Sequence, residues 1–187
     1  MDQTLFQHLQ NHIETTMAVG EDCADKISDA AEKITGALLA GRTIYSCGIE
    51  ETTTLSQLFV NYLTSGYQIE RPGFPAVDLE AVVNNAKDDE CFSRSLHIHG
   101  QSDDVMMVFS TGGNNPILIN TIESAVEQGM LVILLSASDD NQLSDKLCNN
   151  DIEIATANYG RESKATVGFL IIQCLCKLID NKIFGEN

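Results

Sequence analysis

The chain has 187 residues, of which 43% are hydrophobic and 20% charged, a composition ordinary for one globular domain. Eleven Lys and Arg against 27 Asp and Glu give a formal net charge of −16, which disfavours direct binding to nucleic acid because phosphate neutralisation needs several cations. We find neither an apolar run of the roughly 18 residues that a membrane span needs nor the pattern of a signal peptide, and we therefore expect a cytoplasmic protein without membrane contact.

Two amphipathic helices are predicted ahead of the first strand. The first runs to about Ala18, Gly20 is expected to break the pattern, and the second runs from about Asp22 to Ala40. A five-stranded sheet cannot easily cover the apolar faces of both helices. We therefore expect residues 1–40 to form a helical hairpin in an oligomer interface.

The histidines and cysteines do not predict a metal site. His8 and His12 have the i, i+4 spacing that can hold a metal ion, but no third ligand of suitable spacing is visible, so we interpret them as solvent-facing or interface histidines. The six cysteines lie in apolar segments without zinc-finger spacing and indicate buried thiols: Cys23, Cys47, Cys91, Cys148, Cys174 and Cys176. We expect neither a metal nor a cofactor.

Strands and helices alternate along the rest of the chain. Short apolar runs predict strands at 44–47, 76–79, 105–109, 130–135 and 152–155. Helices are predicted between them, and a long last helix is predicted from about Glu162 to Asn181. This alternation predicts a single α/β domain with a parallel sheet covered on both sides and with ligands at the carboxyl ends of the strands.

The central stretch predicts a strand, a polar loop and the start of a helix. Val105 to Phe109 is an apolar run suited to a buried strand, and six small or polar residues follow at 110–115. Asn115 is a natural N-cap for a helix whose first turn holds Pro116. Backbone N–H groups and hydroxyls converge there, and the helix dipole favours an anion. The alternative is an ordinary strand–helix turn with a well-capped helix.

Two motifs resemble the sugar isomerase (SIS) domain family and, within it, the phosphoheptose isomerase branch. The segment Phe109-Ser-Thr-Gly-Gly-Asn-Asn115 is similar to the phosphate loop I-S-T-S-G-N-S of that branch, and Glu70-Arg-Pro-Gly-Phe-Pro-Ala76 is similar to its turn N-R-P-G-Y-P-A. The resemblance covers nearly the whole chain. It implies one SIS domain over residues 1–187, with a flavodoxin-like five-stranded parallel sheet, flanking helices, an N-terminal helical hairpin for oligomerisation and a homotetramer.

The resemblance also implies a phosphate loop, at which a sugar phosphate would bind, at residues Thr52, Ser110, Thr111, Gly113, Asn114 and Asn115. The first loop of the family, G-N-G-G-S, reads Gly48-Ile-Glu-Glu-Thr52 here. Glu50 and Glu51 would each repel a unit charge at about 4 Å by roughly 1 to 4 kcal/mol. The third loop, normally glycine-rich, reads S-D-D-N-Q at 138–142 and adds negative charge. We therefore interpret the phosphate loop as vestigial.

The resemblance assigns the acid and base positions of the isomerases to residues that are unsuited to proton transfer. The resemblance places the glutamate of the family at Tyr62 and its histidine at Gln173, and it places zinc ligands of some members at Leu58 and Ala165. A tyrosine with an ordinary pKa near 10 is a poor base at neutral pH, and an amide transfers no proton. The sequence argues against catalysis.

The C-terminal segment carries the most specific resemblance. Cys174-Leu-Cys-Lys-Leu-Ile-Asp-Asn-Lys-Ile-Phe184 is similar to the tail C-L-C-D-L-I-D-N-T-L-F of a group in the family that associates with the replication initiator DnaA. This implies a non-catalytic, homotetrameric regulator of replication initiation in which Ile183 and Phe184, just beyond the last helix, contact DnaA. The alternative is that this apolar pair completes the core.

Two other functions are left open by the sequence. One is a divergent sedoheptulose 7-phosphate isomerase that supplies heptose for lipopolysaccharide. The other is a regulator that senses a sugar phosphate through residues 110–115. The acid and base positions oppose the first of these functions.

Overall fold

The five strands form one parallel sheet in the order β2-β1-β3-β4-β5 in the computed structural model, which describes residues 3–83, 88–137, 140–156 and 163–185. The strands are β1 Ile44–Gly48, β2 Ala76–Asp78, β3 Val105–Phe109, β4 Leu131–Ser136 and β5 Ile152–Ala155. This is the strand order of flavodoxin-like proteins, so the predicted sheet is confirmed.

Eight α-helices are described: α1 Gln3–Asp22, α2 Ala24–Leu39, α3 Thr53–Ser65, α4 Leu79–Val82, α5 Cys91–His99, α6 Pro116–Glu127, α7 Asn141–Ser144 and α8 Lys164–Phe184. A short 3-10 helix, Glu50–Thr52, precedes α3. In the part of the chain that the structure describes, no helix combines the length and hydropathy that crossing a membrane requires.

The ends of two helices differ from the sequence prediction. The predicted break at Gly20 is wrong, because α1 continues through this residue and the chain turns only at Cys23. A glycine inside a helix costs about 1 kcal/mol relative to alanine, which the rest of a 20-residue helix tolerates. The last helix also runs past Asn181. It ends at Phe184, and Gly185 follows with a φ of 91°.

The two faces of the sheet carry separate hydrophobic clusters. Val105, Met107 and Phe109 of β3 face the cluster that α2, α3 and α8 complete, and Met106 and Val108 face the cluster of α5 and α6. Successive side chains of a strand point to opposite faces, so a fully buried strand must be apolar throughout. All five of these side chains are completely buried.

The two N-terminal helices differ in how their apolar faces are covered. The apolar side chains at helical spacing in α2 are buried within the chain: Ile27, Ala30, Ala31 and Ile34. The apolar side chains of α1 are 54–64% exposed: Leu5, Phe6, Leu9, Ile13 and Met17. Apart from Leu39 at the end of α2, the exposed large apolar side chains of this region lie on α1, and we call these five side chains the α1 apolar face.

The cysteines follow the prediction of buried thiols with two exceptions. Four are buried: Cys23, Cys47, Cys91 and Cys176. Cys148 is exposed and Cys174 is half-buried, so the prediction is wrong for Cys148. Cys148 follows α7, where the chain returns to the sheet over a polar segment rather than through an apolar element.

Candidate functional site

The first and second family loops meet where the order of the strands reverses. Gly48, the last residue of β1, is in register with Phe109, the last residue of β3. The chain leaves both strands at the same edge of the sheet, so residues 49–52 and 110–115 lie side by side. In open parallel sheets this switch point is where ligands bind. The structure thus brings the predicted phosphate-loop residues together at one edge.

Thr52 uses its hydroxyl inside the protein. The side chain is buried, and its Oγ1 accepts a hydrogen bond from the Ile49 N–H at 2.9 Å. The same hydroxyl lies within donating distance of the Ile49 carbonyl at 2.8 Å and the Phe109 carbonyl at 2.9 Å. A Cβ on Gly48 would collide with the Thr52 carbonyl oxygen, so only glycine fits there. The Thr52 hydroxyl thus bonds the first loop to the end of β3, and Gly48 leaves the space that this arrangement needs.

In the second loop, the Ser110 hydroxyl accepts a hydrogen bond from the backbone of the same loop. Ser110 is 8% exposed, and its Oγ accepts a hydrogen bond from the Gly112 N–H at 3.1 Å. Gly112 and Gly113 have φ values of 108° and 95°, in the region that favours glycine over other residues. The loop shape is therefore set by two glycines and a serine that turns back on its own backbone.

Both asparagines of the loop make structural hydrogen bonds. The Asn115 side chain accepts from the Ile117 N–H at 2.9 Å and caps α6, which confirms the predicted N-cap. The Asn114 side chain accepts from the Gln142 N–H at 2.9 Å and so ties the second loop to α7. Of the third loop, Ser138 and Asp139 lie outside the described residues.

Lys164 is a charged neighbour of the loop that the sequence analysis missed. Its Nζ donates a hydrogen bond to the Thr111 carbonyl at 2.9 Å. Lys164 is the first residue of α8, where the helix dipole disfavours a cation, and this unusual placement is the signal that could have identified it. Glu50 and Glu51 are exposed at the first loop. Among the described residues of the first two loops and the start of α8, the charged side chains are thus Lys164, Glu50 and Glu51.

Gln173 and Tyr67 line one groove beside α8, and Tyr67 packs against Tyr62. The Tyr62 and Tyr67 rings pack with their centroids 4.7 Å apart. Tyr67 and Gln173 then line a surface cavity of about 460 Å³, together with Gln68, Leu170, Cys174, Lys177 and Leu178. Tyr62 and Gln173, which the family resemblance assigns to the base and acid positions, thus lie in the same region.

The groups at this groove are poorly suited to take a proton. Burial raises the pKa of Tyr67 above its usual value, and the neighbouring Tyr62 raises this pKa further. Burial also raises the pKa of the Cys174 thiol. Both shifts favour the protonated forms of these side chains. Leu58 and Ala165, which the resemblance assigns to zinc positions of some members, carry no metal-binding atom in their side chains.

The end of α8 presents an aromatic side chain to solvent. Ile183 and Phe184 lie in the last turn of the helix, so their predicted position beyond the helix is wrong. Phe184 is 46% exposed, and its ring stacks on Phe74 with centroids 6.1 Å apart and an interplanar angle of 20°. Ile183 is half-buried and packs against the core. Phe184 is therefore largely a surface residue, and Ile183 belongs to the edge of the core.

Arg71 holds this aromatic pair against the helix. Its guanidinium carbon lies 3.9 Å from the centroid of the Phe74 ring, and its Nε lies 2.7 Å from the Asp180 carboxylate of α8. The other guanidinium nitrogens donate to the carbonyls of Tyr62 at 3.0 Å and Leu63 at 2.8 Å, near the end of α3. Arg71 thus joins α3, the turn before β2 and α8.

Two surfaces therefore lie at opposite ends of α8. Lys164 and the loop at residues 110–115 are at the start of this helix, and Phe184 is at its end. With a rise of 1.5 Å per residue, a helix of 21 residues separates them by about 30 Å. A small ligand at the loop would not touch the Phe184 ring.

Comparison with known sequences matches residues 7–137 to the SIS domain family. The chain is also 31% identical to the DnaA initiator-associating protein DiaA of Klebsiella pneumoniae subsp. pneumoniae, over 94% of this chain and 93% of that protein. DiaA of Yersinia enterocolitica is 30% identical with the same coverage of both chains. Similarity to these relatives thus extends over nearly the whole length of the chain.

Comparison with solved structures finds the same fold in phosphoheptose isomerases. The enzyme of Francisella tularensis has a TM-score of 0.86 and 24% identity, over 95% of this chain and 97% of that chain. The enzyme of Neisseria gonorrhoeae has a TM-score of 0.84 and 22% identity, over 96% and 98%. At this level of identity the likeness concerns the fold.

Proposed function

Because the chain belongs to the SIS domain family, we propose that it is a non-catalytic SIS protein that regulates the initiation of chromosome replication by associating with DnaA as a homotetramer. The observation that carries the proposal is the half-exposed Phe184 ring, held at the end of α8 in a chain whose relatives are DnaA initiator-associating proteins. We infer one SIS domain over residues 1–187. A partner that acts on the chromosome places this function in the cytoplasm.

The DnaA-contacting surface in this proposal is the last turn of α8. Phe184 supplies an exposed aromatic ring, and aromatic side chains are frequent anchors of protein interfaces. Ile183 contributes from beneath, because it is half-buried against the core. Several copies of this surface on one oligomer would hold several DnaA molecules together and raise their effective concentration.

Association with DnaA is tested with purified proteins. Immobilised chain is expected to capture DnaA, and the phosphoheptose isomerase of Francisella tularensis, which shares the fold, serves as the matched control. Because the chain has a net charge of −16, the capture is repeated at raised salt, where nonspecific electrostatic attraction weakens. Equal capture by both proteins, or capture that disappears with modest salt, would contradict the proposal.

We expect no turnover of sedoheptulose 7-phosphate, with or without added Zn²⁺. The family resemblance assigns the proton-transfer positions to Tyr62 and Gln173, and a phenol and an amide are poorly suited to the base and acid steps of an isomerase. The measurement is product formation over hours with the Francisella tularensis enzyme as the positive control. Product that disappears with Gln173→Ala or Tyr62→Phe would show that the protein is an isomerase.

A sugar-phosphate sensor is the second function that one observation favours. Lys164 places a cation at the Thr111 carbonyl, in the loop that would hold the phosphate. Glu50 and Glu51 oppose it at the neighbouring loop. A rise in melting temperature with sedoheptulose 7-phosphate that Lys164→Met abolishes would support the sensor, because a ligand that binds only the folded state stabilises it.

Self-association through the α1 apolar face is the basis of the proposed tetramer. Replacing Ile13, which is 62% exposed, by Asp is expected to lower the oligomer mass in light scattering, because an interface would bury the new carboxylate without a partner. The matched control is Ile98→Asp on α5, where the isoleucine is 74% exposed and belongs to no such face. A wild-type chain that is monomeric at micromolar concentration would refute the tetramer.

A further inference from the structure

His8 and His12 converge on one point of the α1 surface. Their Nε2 atoms lie 3.1 Å apart, and the two rings meet edge to face with centroids 4.5 Å apart. Within the described part of the chain, no group of three potential ligands surrounds a single point. We propose that this pair is half of a binding site for Zn²⁺ or a similar transition-metal ion, and that a second copy of the chain supplies the other half.

The separation of the two nitrogen atoms fits shared coordination. A tetrahedral zinc ion with Zn–N distances of about 2.0–2.1 Å holds its nitrogen ligands about 3.3–3.4 Å apart. The Nε2 atoms of His8 and His12 need to separate by only a few tenths of an ångström to reach this value. Neutral imidazole is the form that binds metal. In the absence of metal, one Nε2–H donates to the other ring. On metal binding that ring takes the tautomer with its proton on Nδ1, so both neutral imidazoles offer an Nε2 lone pair.

A second copy is the natural source of the remaining ligands. The α1 apolar face extends from Leu5 to Met17, with its middle at residue 11, and the histidine pair has its middle at residue 10. His12 follows Leu5 and Leu9 by seven and three residues, which places it beside this face. In an antiparallel two-fold contact centred on the side of α1 that carries Leu5, Leu9 and His12, the histidine pairs of both copies meet. Four imidazole nitrogens complete a tetrahedral site.

The second nitrogen of His12 also has no partner within the described chain. Its Nδ1 is buried and lacks a hydrogen bond among the described residues. Metal binding at Nε2 fixes the proton on Nδ1, and metal-bound histidines usually donate this proton to a carbonyl or carboxylate oxygen. A copy packed against α1 can supply that oxygen. The same contact would then supply two ligands and a partner for Nδ1.

Metal binding to the full-length chain tests the proposal. The chain carries Cys148→Ser, because this exposed thiol could bind metal by itself. Metal-free protein in equilibrium dialysis is expected to take up one Zn²⁺ for every two chains, and Co²⁺ is expected to give the visible absorption of a tetrahedral site. His8→Ala and His12→Ala should each weaken zinc binding at least about tenfold, because loss of even an outer-shell partner costs that much. His99→Ala, at an exposed histidine of α5, should leave binding unchanged.

Three outcomes would overturn the inference. No binding of Zn²⁺ at micromolar concentration, or binding that survives both His8→Ala and His12→Ala, excludes the histidine site. Binding of one ion per chain that survives Ile13→Asp excludes the shared site. The inference rests on the proposed self-association and not on DnaA, and light scattering separates the two failures. An oligomer that binds no zinc overturns the metal site alone, and a monomer overturns the tetramer as well.

Discussion

Replacing Arg71 by Met is expected to lower the free energy of unfolding by about 3–5 kcal/mol, because the change leaves a buried carboxylate without its counter-charge. The side chains of Arg71 and Asp180 are only 1% and 4% exposed, and their atoms approach to 2.7 Å. The second carboxylate oxygen, Oδ2, already lacks a hydrogen bond among the described residues. The variant also loses the bonds to the carbonyls of Tyr62 and Leu63.

Two further variants separate charge burial from other effects of the substitution. Arg42→Met removes an ion pair with Asp103 whose side chains are 35% and 72% exposed, and it should cost less than about 1 kcal/mol. The double change Arg71→Met with Asp180→Leu should recover much of the loss, because no charge is then left buried. Urea unfolding with an unchanged slope is the measurement. A cost for Arg71→Met no larger than that for Arg42→Met would contradict the structure.

Replacing Phe184 by Ala is expected to weaken DnaA association by about 1 to 3 kcal/mol, or roughly 5- to 150-fold, without changing the oligomer mass. The reason is that the ring is 46% exposed and held in place by Phe74, so it presents a fixed apolar surface at no cost to the core. The dissociation constant for DnaA, measured with and without the substitution, checks this.

Phe169→Ala is the matched control for this prediction. Phe169 lies on the same helix and is 40% exposed, but it is four turns before the last turn of α8. This variant should bind DnaA as the wild type does. Equal losses for both phenylalanines would argue for a nonspecific apolar effect. If Phe184→Ala melts the protein while the surviving oligomer still binds normally, the ring belongs to the core and the contact lies elsewhere.

Local sequence patterns were sufficient to predict the centre of the fold. The strand at Val105–Phe109 has the predicted bounds, because five consecutive apolar residues suit a strand buried on both faces. The start of α6 was predictable from Asn115 and Pro116, because capping involves only residues within one turn. Strand order also followed from the family resemblance, although no local pattern specifies which strands are neighbours.

Contacts between segments far apart in the sequence could not be predicted from local sequence patterns. Lys164 meets Thr111 across 53 residues, and Arg71 meets Asp180 across 109 residues. Neither pair has a spacing that could have been recognised. The last turn of α8 was missed for a related reason: polar residues at its end predict fraying, whereas the stacking of Phe184 on Phe74 holds the turn in place.

The role of Thr52 shows that a hydroxyl residue in the first loop of this fold need not indicate phosphate binding. Its hydroxyl bonds to the carbonyl of Phe109, 57 residues along the chain, and this bond joins two neighbouring strand ends whether or not an anion is present. Glu50 and Glu51 of the same loop are exposed, and their side chains are not used to bond the loop to β3. A serine or threonine at the fifth position of this loop is therefore weak diagnostic support for phosphate binding, and the third and fourth positions discriminate better.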